Sequence, residues 1–141
     1  MNKLLNKSIL FLGKKDDKYC LEASAFLKAS FKNVDIFLGD YGESLHENAL
    51  SWNGDYIISY LSRWIVPPKL LSSASEASIN FHPASPDYPG TGCINFALYN
   101  EDNFYGSTCH HMLPSVDTGS IISTKDFKII PSDTVESLLT R

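Results

Sequence analysis

Two spacings of apolar residues alternate along this chain. Ser8-Ile9-Leu10-Phe11-Leu12-Gly13 is a continuous apolar run closed by glycine, which predicts a first strand buried on both faces. The spacing then becomes helical. Asp16 or Asp17 can cap a helix in which Cys20, Leu21, Ala23, Ala25, Phe26, Leu27 and Ala29 form an apolar stripe ending near Phe31. Val34 to Gly39 reads as a second strand, with Asp40 to form the turn. A strand, a helix-sized crossover and a strand make a β-α-β unit, so these strands are expected to be parallel with a right-handed connection. The pattern therefore predicts an α/β sheet.

Beyond this unit, Tyr41 to Asn53 is more polar, with a short helical stretch from Glu43 to Leu50. Tyr56 to Tyr60 predicts a third strand, and Pro67 opens a short helix through Leu71. Ser78 to His82 is a fourth strand, stopped at Pro83 by the missing amide donor. Residues 83–92 carry three prolines and two glycines and are the most turn-dense stretch of the chain. Ile94 to Tyr99 returns to helical spacing, and Gly106 to Met112 and Ser120 to Ile130 read as strands. A last helix, capped by Ser132 or Asp133, runs from Thr134 to Arg141, where the sequence stops inside it.

With 141 residues, 43% hydrophobic and 20% charged, the chain fits one domain, 1–141, that needs no disulfide or metal staple. Twelve Lys plus Arg against 16 Asp plus Glu give a formal charge of -4, so no broad basic field draws in a nucleic-acid backbone. Cys20, Cys93 and Cys109 are odd in number and contain no Cys-x-x-Cys pair, as expected of free thiols in a reducing cytosol. The amino terminus has lysines but only a short apolar run and no small-residue cleavage site. No run approaches the roughly 18 apolar residues of a membrane span. The expected location is cytoplasmic, without a membrane partner.

Ligands of open α/β sheets gather beyond the carboxyl ends of the strands. The fourth strand delivers Asn80 and His82 there, and their spacing of two places both side chains on one face. A carboxamide and an imidazole suit the stabilisation and protonation of a developing oxyanion in acyl transfer. Asp117, in Val116-Asp117-Thr118-Gly119 between two strands, can orient an imidazole or take a proton through water, although Asp-Thr-Gly alone reads as a β-turn. His110 and His111 lie on opposite faces of their strand, so at most one faces the site. His46 reads as solvated. His82, His110 and Asp117 are metal-ligand types but lack metal-ligand spacing, so no metal is expected.

Four short motifs stand in one order. Asn80-Phe81-His82-Pro83 precedes a Pro-rich turn through Tyr88 to Gly90, then Gly106-Ser107-Thr108-Cys109-His110, then Asp117-Thr118-Gly119-Ser120-Ile121-Ile122. Together they resemble the 10-formyltetrahydrofolate-dependent formyltransferases, the family of glycinamide ribonucleotide transformylase, methionyl-tRNA formyltransferase and the sugar N-formyltransferases. Asp133-Thr134-Val135-Glu136-Ser137-Leu138 is similar to that family's helix start, and the likeness is best from Tyr56 onward. It implies a Rossmann-like, mostly parallel sheet with helices on both faces and a catalytic trio of Asn80, His82 and Asp117. It also implies 10-formyltetrahydrofolate as formyl donor, held against the main chain of two segments, Tyr60 to Ile65 and Val116 to Ile121, with Tyr60, Leu61, Arg63, Trp64, Ile65, Val116, Gly119 and Ile121 as the contacts. Tyr88 and His110 would line the substrate side.

Departures from the family pattern bear on the acceptor. The loop after His82 is shorter by one residue than the family's Pro-Ser-Leu-Leu-Pro-x-aromatic-basic-Gly and has Pro89 at the basic position. Gly13-Lys14-Lys15-Asp16-Asp17 lacks the glycines that let helix amides wrap a phosphate, which argues against glycinamide ribonucleotide. The expected acceptor is a small-molecule amine, foremost that of a nucleotide-linked amino sugar. The tRNA enzyme, hydrolysis of the donor by water, and a folate- or nucleotide-binding domain without catalysis remain as alternatives. The sequence is expected to be a catalytic core clipped in its last helix; oligomeric state leaves no readable trace.

Overall fold

Alternation within the first apolar run decides how the layers stack. Ile9 and Phe11 point to one face of the sheet and pack with Cys20 and Leu27, whereas Leu10 and Leu12 point to the other and pack with Ile57, Val66 and Leu70. The computed structural model describes residues 3–141. Its strands are β1 (Ser8–Lys14), β2 (Asn33–Gly39), β3 (Gly54–Tyr60), β4 (Ala74–His82), β5 (Phe104–His111) and β6 (Ile121–Lys128). They form one sheet in the order β2-β1-β3-β4-β5-β6. The pairings β1/β2, β1/β3 and β3/β4 are parallel, and β4/β5 and β5/β6 are antiparallel. The helices are α1 (Lys18–Ser30), α2 (Glu47–Leu50), α3 (Pro68–Leu71), α4 (Cys93–Tyr99) and α5 (Val135–Thr140).

The β-α-β unit is parallel as the spacing predicts. Asp17, rather than Asp16, caps α1 by accepting from Tyr19 N and Cys20 N. The buried line of α1 is narrower than the sequence suggests: Cys20, Ser24 and Leu27 are buried, while Leu21 and Phe26 are exposed. Spacing of four and three residues keeps those three on one line, and the other two fall off it. On the far face, α3 brings Leu70 under β1 and β3. A third cluster of Ala84, Cys93, Ala97 and Tyr105 joins α4 to β5 beneath the proline-rich loop.

Two local readings are corrected. β4 begins at Ala74, earlier than its apolar residues show, because Ser75 and Glu76 are exposed and leave no burial pattern. The last helix is capped by Thr134, not by Ser132 or Asp133. Thr134 Oγ1 accepts from Ser137 N at 3.2 Å and Ser137 Oγ accepts from Thr134 N at 2.9 Å, a reciprocal box. Asp133 instead accepts from Ile130 N at 2.8 Å. No helix among the described residues is long and apolar enough to cross a membrane.

Candidate active site

Register places the polar pair. Asn80 lies opposite His110 and His82 opposite Thr108 on antiparallel β5, so these four side chains share one sheet face at the carboxyl end of β4. The same register answers the question of the adjacent histidines. His110 is buried on that face, and His111 is exposed on the other side.

Asp117 reaches the pair from the β5–β6 connection. Its backbone is left-handed, at φ 54, a conformation that Asp tolerates better than most residues because its short side chain bonds locally. The chain returns to β6 through Gly119, whose Cα lies against the His111 carbonyl where any side chain would collide. The Asp117 carboxylate then meets four neighbours. Oδ2 accepts from Gly90 N at 2.9 Å and stands 3.6 Å from His82 Nδ1; Oδ1 stands 3.2 Å from His110 Nε2 and 3.5 Å from Asn80 Nδ2. Asn80 Nδ2 also lies 3.2 Å from His110 Nε2. The side chains of His82, His110 and Asp117 are 8%, 5% and 9% exposed, so these polar contacts replace water rather than compete with it.

Each imidazole has one nitrogen committed to a main-chain carbonyl. His82 Nε2 is 2.6 Å from Tyr88 O and His110 Nδ1 is 2.8 Å from His111 O. A carbonyl only accepts, so both nitrogens carry hydrogen, and the other nitrogen of each ring faces Asp117. Cys93, at the start of α4, adds a second donor to Tyr88 O at 3.1 Å, with its sulfur 3.7 Å from His82 Nε2. Burial pushes the Cys93 thiol above its usual range, so it remains a neutral S–H.

The cluster opens into a cavity of about 710 Å³. Asn80, His82, His110 and Asp117 line it, as do Leu61, Arg63, Trp64, Ile65 and Val116 from the implied folate segments. Trp64 lies on the Gly39 Cα and its Nε1 donates to Glu43 O at 2.8 Å, which fixes the indole against the end of β2. The Arg63 guanidinium stacks 4.1 Å from the Tyr41 ring centre and donates to Tyr41 Oη at 2.6 Å. Its Nε is buried with no hydrogen-bond partner among the described residues. The remaining sequence-derived positions lie off the cavity. Tyr60 packs on the opposite face near Phe81, Gly119 serves the loop's approach to β5, and Ile121 is exposed at the start of β6. Tyr88 turns its ring into the third cluster and bonds its hydroxyl to Asp102.

A family model described as formyl transferase matches residues 23–141. The chain belongs to that family. It is 31% identical over 100 residues to a GDP-perosamine N-formyltransferase of Brucella melitensis biotype 1, covering 70% of this chain and 39% of that protein. To a phosphoribosylglycinamide formyltransferase of Haemophilus influenzae it is 30% identical over 122 residues, covering 84% of this chain and 54% of that one. PseJ of Anoxybacillus kamchatkensis, crystallised with UDP-4,6-dideoxy-4-formamido-L-AltNAc and tetrahydrofolate, has a similar fold. Its TM-score is 0.71 at 25% identity over 94% of this chain and 68% of PseJ. The chain thus spans about half the length, or less, of the two formyltransferase relatives.

Sequence reading missed two members of this site. Cys93 and the Tyr88 carbonyl belong to the loop and helix start after β4, and neither side-chain type nor spacing marks a main-chain acceptor. The density of Pro and Gly in residues 83–92 was the available signal, since such a loop fixes where its carbonyls point.

Proposed function

We propose that this formyl transferase family member moves a formyl group from 10-formyltetrahydrofolate to the primary amine of a nucleotide-linked amino sugar. One observation carries the reading: Asn80, His82 and Asp117 converge at the carboxyl end of β4, with Asn80 Nδ2 3.5 Å and His82 Nδ1 3.6 Å from the Asp117 carboxylate, and all three line one cavity. The donor supplies an activated formyl carbon. The residues present suit such a ligand, because the orphaned Arg63 Nε calls for an acceptor and Trp64, Leu61 and Ile65 offer an apolar wall beside it. Amine addition to a formyl carbon turns its oxygen anionic. Asn80 Nδ2–H and, once the ring is protonated, His82 Nδ1–H are the donors that would meet that charge. Asp117 stabilises the proton that His82 Nδ1 takes up and, through water in the cavity, would pass the amine's proton toward the departing nitrogen.

The sugar acceptor is favoured over a ribonucleotide by what stands at α1. Asp17 occupies the first-turn amides, accepting from Tyr19 N at 2.9 Å and Cys20 N at 3.1 Å, so a phosphate there would displace a carboxylate. The amino-sugar relatives point the same way. Incubation of purified protein with formyl donor and a panel of nucleotide-linked amino sugars, glycinamide ribonucleotide and no acceptor tests both parts. Release of tetrahydrofolate only with an amino sugar, abolished by His82→Ala, is expected. Equal turnover without acceptor would replace transferase by hydrolase, and a His82→Ala protein as active as the parent would remove the trio from the chemistry.

A further inference from the structure

We infer that Tyr88, clamped by Asp102 and Asn100, is a positioning residue that sets the tautomer of His82 and leaves Nδ1 as its reacting nitrogen. This rests on the catalytic reading of His82 given above. The Tyr88 hydroxyl donates to Asp102 and accepts from Asn100 Nδ2 at 3.0 Å, both contributed from the turn between α4 and β5. Those bonds fix the ring, and the ring fixes its own carbonyl 2.6 Å from His82 Nε2. A neutral imidazole has one N–H. Bonding to a carbonyl assigns that hydrogen to Nε2 and leaves the lone pair on Nδ1, which looks toward Asp117 Oδ2.

The alternative partner for Nε2 is Cys93, and the geometry rejects it as a nucleophile–base pair. For Cys93 S–H to be deprotonated by His82, Nε2 would have to accept, yet the carbonyl between them accepts from both. Cys93 is therefore a second anchor for the same oxygen. The ionisable neighbours of His82 are Asp117 from the β5–β6 connection, Cys93 from α4 and, beyond Asp117, His110 from β5. Among them only Asp117 faces Nδ1. Proton exchange with a ligand in the cavity thus runs through the Nδ1 edge, and the loop carrying Tyr88 sets its aim.

Nitrogen NMR of the labelled 141-residue protein reads the tautomer directly, with His82→Ala to assign the ring. In the parent, a pyrrole-type Nε2 and a pyridine-type Nδ1 are expected whenever the ring is neutral. Tyr88→Phe removes the clamp and keeps the ring; it should move those two nitrogen shifts toward a mixed tautomer. It should also lower kcat by up to about a hundredfold, with donor KM held within about twofold, as for a misaimed catalytic group. Asp102→Asn keeps an acceptor for the hydroxyl and should restore most of both readouts, whereas Asp102→Ala should not. A parent ring with its hydrogen on Nδ1, or shifts unmoved in both Tyr88→Phe and Asp102→Ala, would overturn the inference. An active His82→Ala protein with the expected shifts would instead refute the catalytic reading and leave the tautomer assignment standing.

Discussion

The two halves of the sheet are held by different forces. In the parallel half, β1 presents Ile9, Leu10, Phe11 and Leu12 fully buried between α1 on one face and α3 on the other. In the antiparallel half, the inward positions are Asn80, His82, Thr108 and His110, polar groups that repay their burial only when bonded. All four are bonded: Thr108 Oγ1 donates to Ala84 O at 2.7 Å, and the other three join the network around Asp117. One half is an apolar core and the other is a hydrogen-bond network that lines the candidate site. Substitutions should therefore separate stability from activity according to the half they strike.

The largest effect is expected in the network. Asp117→Asn keeps the shape but replaces the shared anion, leaving Gly90 N, His82 and His110 facing a neutral amide. Formyl transfer should fall by about a hundredfold or more, the usual scale for general acid–base groups and oxyanion donors. Rates measured beside thermal melts would check this, and a variant that loses more stability than activity would break the division. Leu10→Ala strikes the other half. It empties part of a fully buried position between β3 and α3 and should cost about 2–5 kcal/mol in urea denaturation. Affinity for the folate donor per folded molecule should hardly change.

Gly119→Ala tests the joint between fold and network. The added methyl would meet the His111 carbonyl, backbone that cannot rotate away, so the β5–β6 connection must shift and carry Asp117 with it. Destabilisation of about 1–3 kcal/mol is expected from such overpacking. Activity should fall further than that loss explains, and a crystal structure of the variant would show whether Asp117 has left Gly90 N.

The same division explains what was legible. Period and punctuation marked the strand–helix–strand unit because its faces are buried by apolar side chains. Asn80, His82 and Asp117 were read as a trio, and His110 as a substrate-side residue, from motif order; alternation alone left His110 and His111 open, and register puts His110 on the face of Asn80 and His82. Tyr60, Gly119 and Ile121 came from the family resemblance as main-chain contacts of the folate, so the direction of their side chains leaves that expectation standing. Alternation sends Tyr60 to the opposite face, and Gly119 and Ile121 serve the return of the chain to β6. Main-chain acceptors such as Tyr88 O carry no residue-type signature, so the tautomers they impose appear only in three dimensions.

The smallest effect, at the end of the parallel strands remote from the site, sharpens the comparison through pH. Asp55 Oδ2 accepts from Ser8 N at 2.8 Å and Oδ1 from Lys7 Nζ at 3.0 Å, and Lys7 bonds Glu76 of β4 at 2.6 Å. The Ser8 amide first, and Lys7 second, hold the Asp55 carboxyl below its ordinary value of 3.8. A depressed carboxyl stabilises the fold above its unfolded value and loses that contribution as pH falls through the folded one. The Glu76 carboxylate first, and Asp55 second, raise the Lys7 ammonium, whose contribution is lost only on the far alkaline side. Asp55→Asn should therefore lower the urea midpoint at pH 7 and lose its difference from the parent as the solution is taken below about pH 4. Because solvent screens this surface cluster, the shift should be smaller than that of Leu10→Ala, and donor affinity should not move. A gap that persists unchanged at pH 3 would mean that Asp55 acts through shape rather than charge.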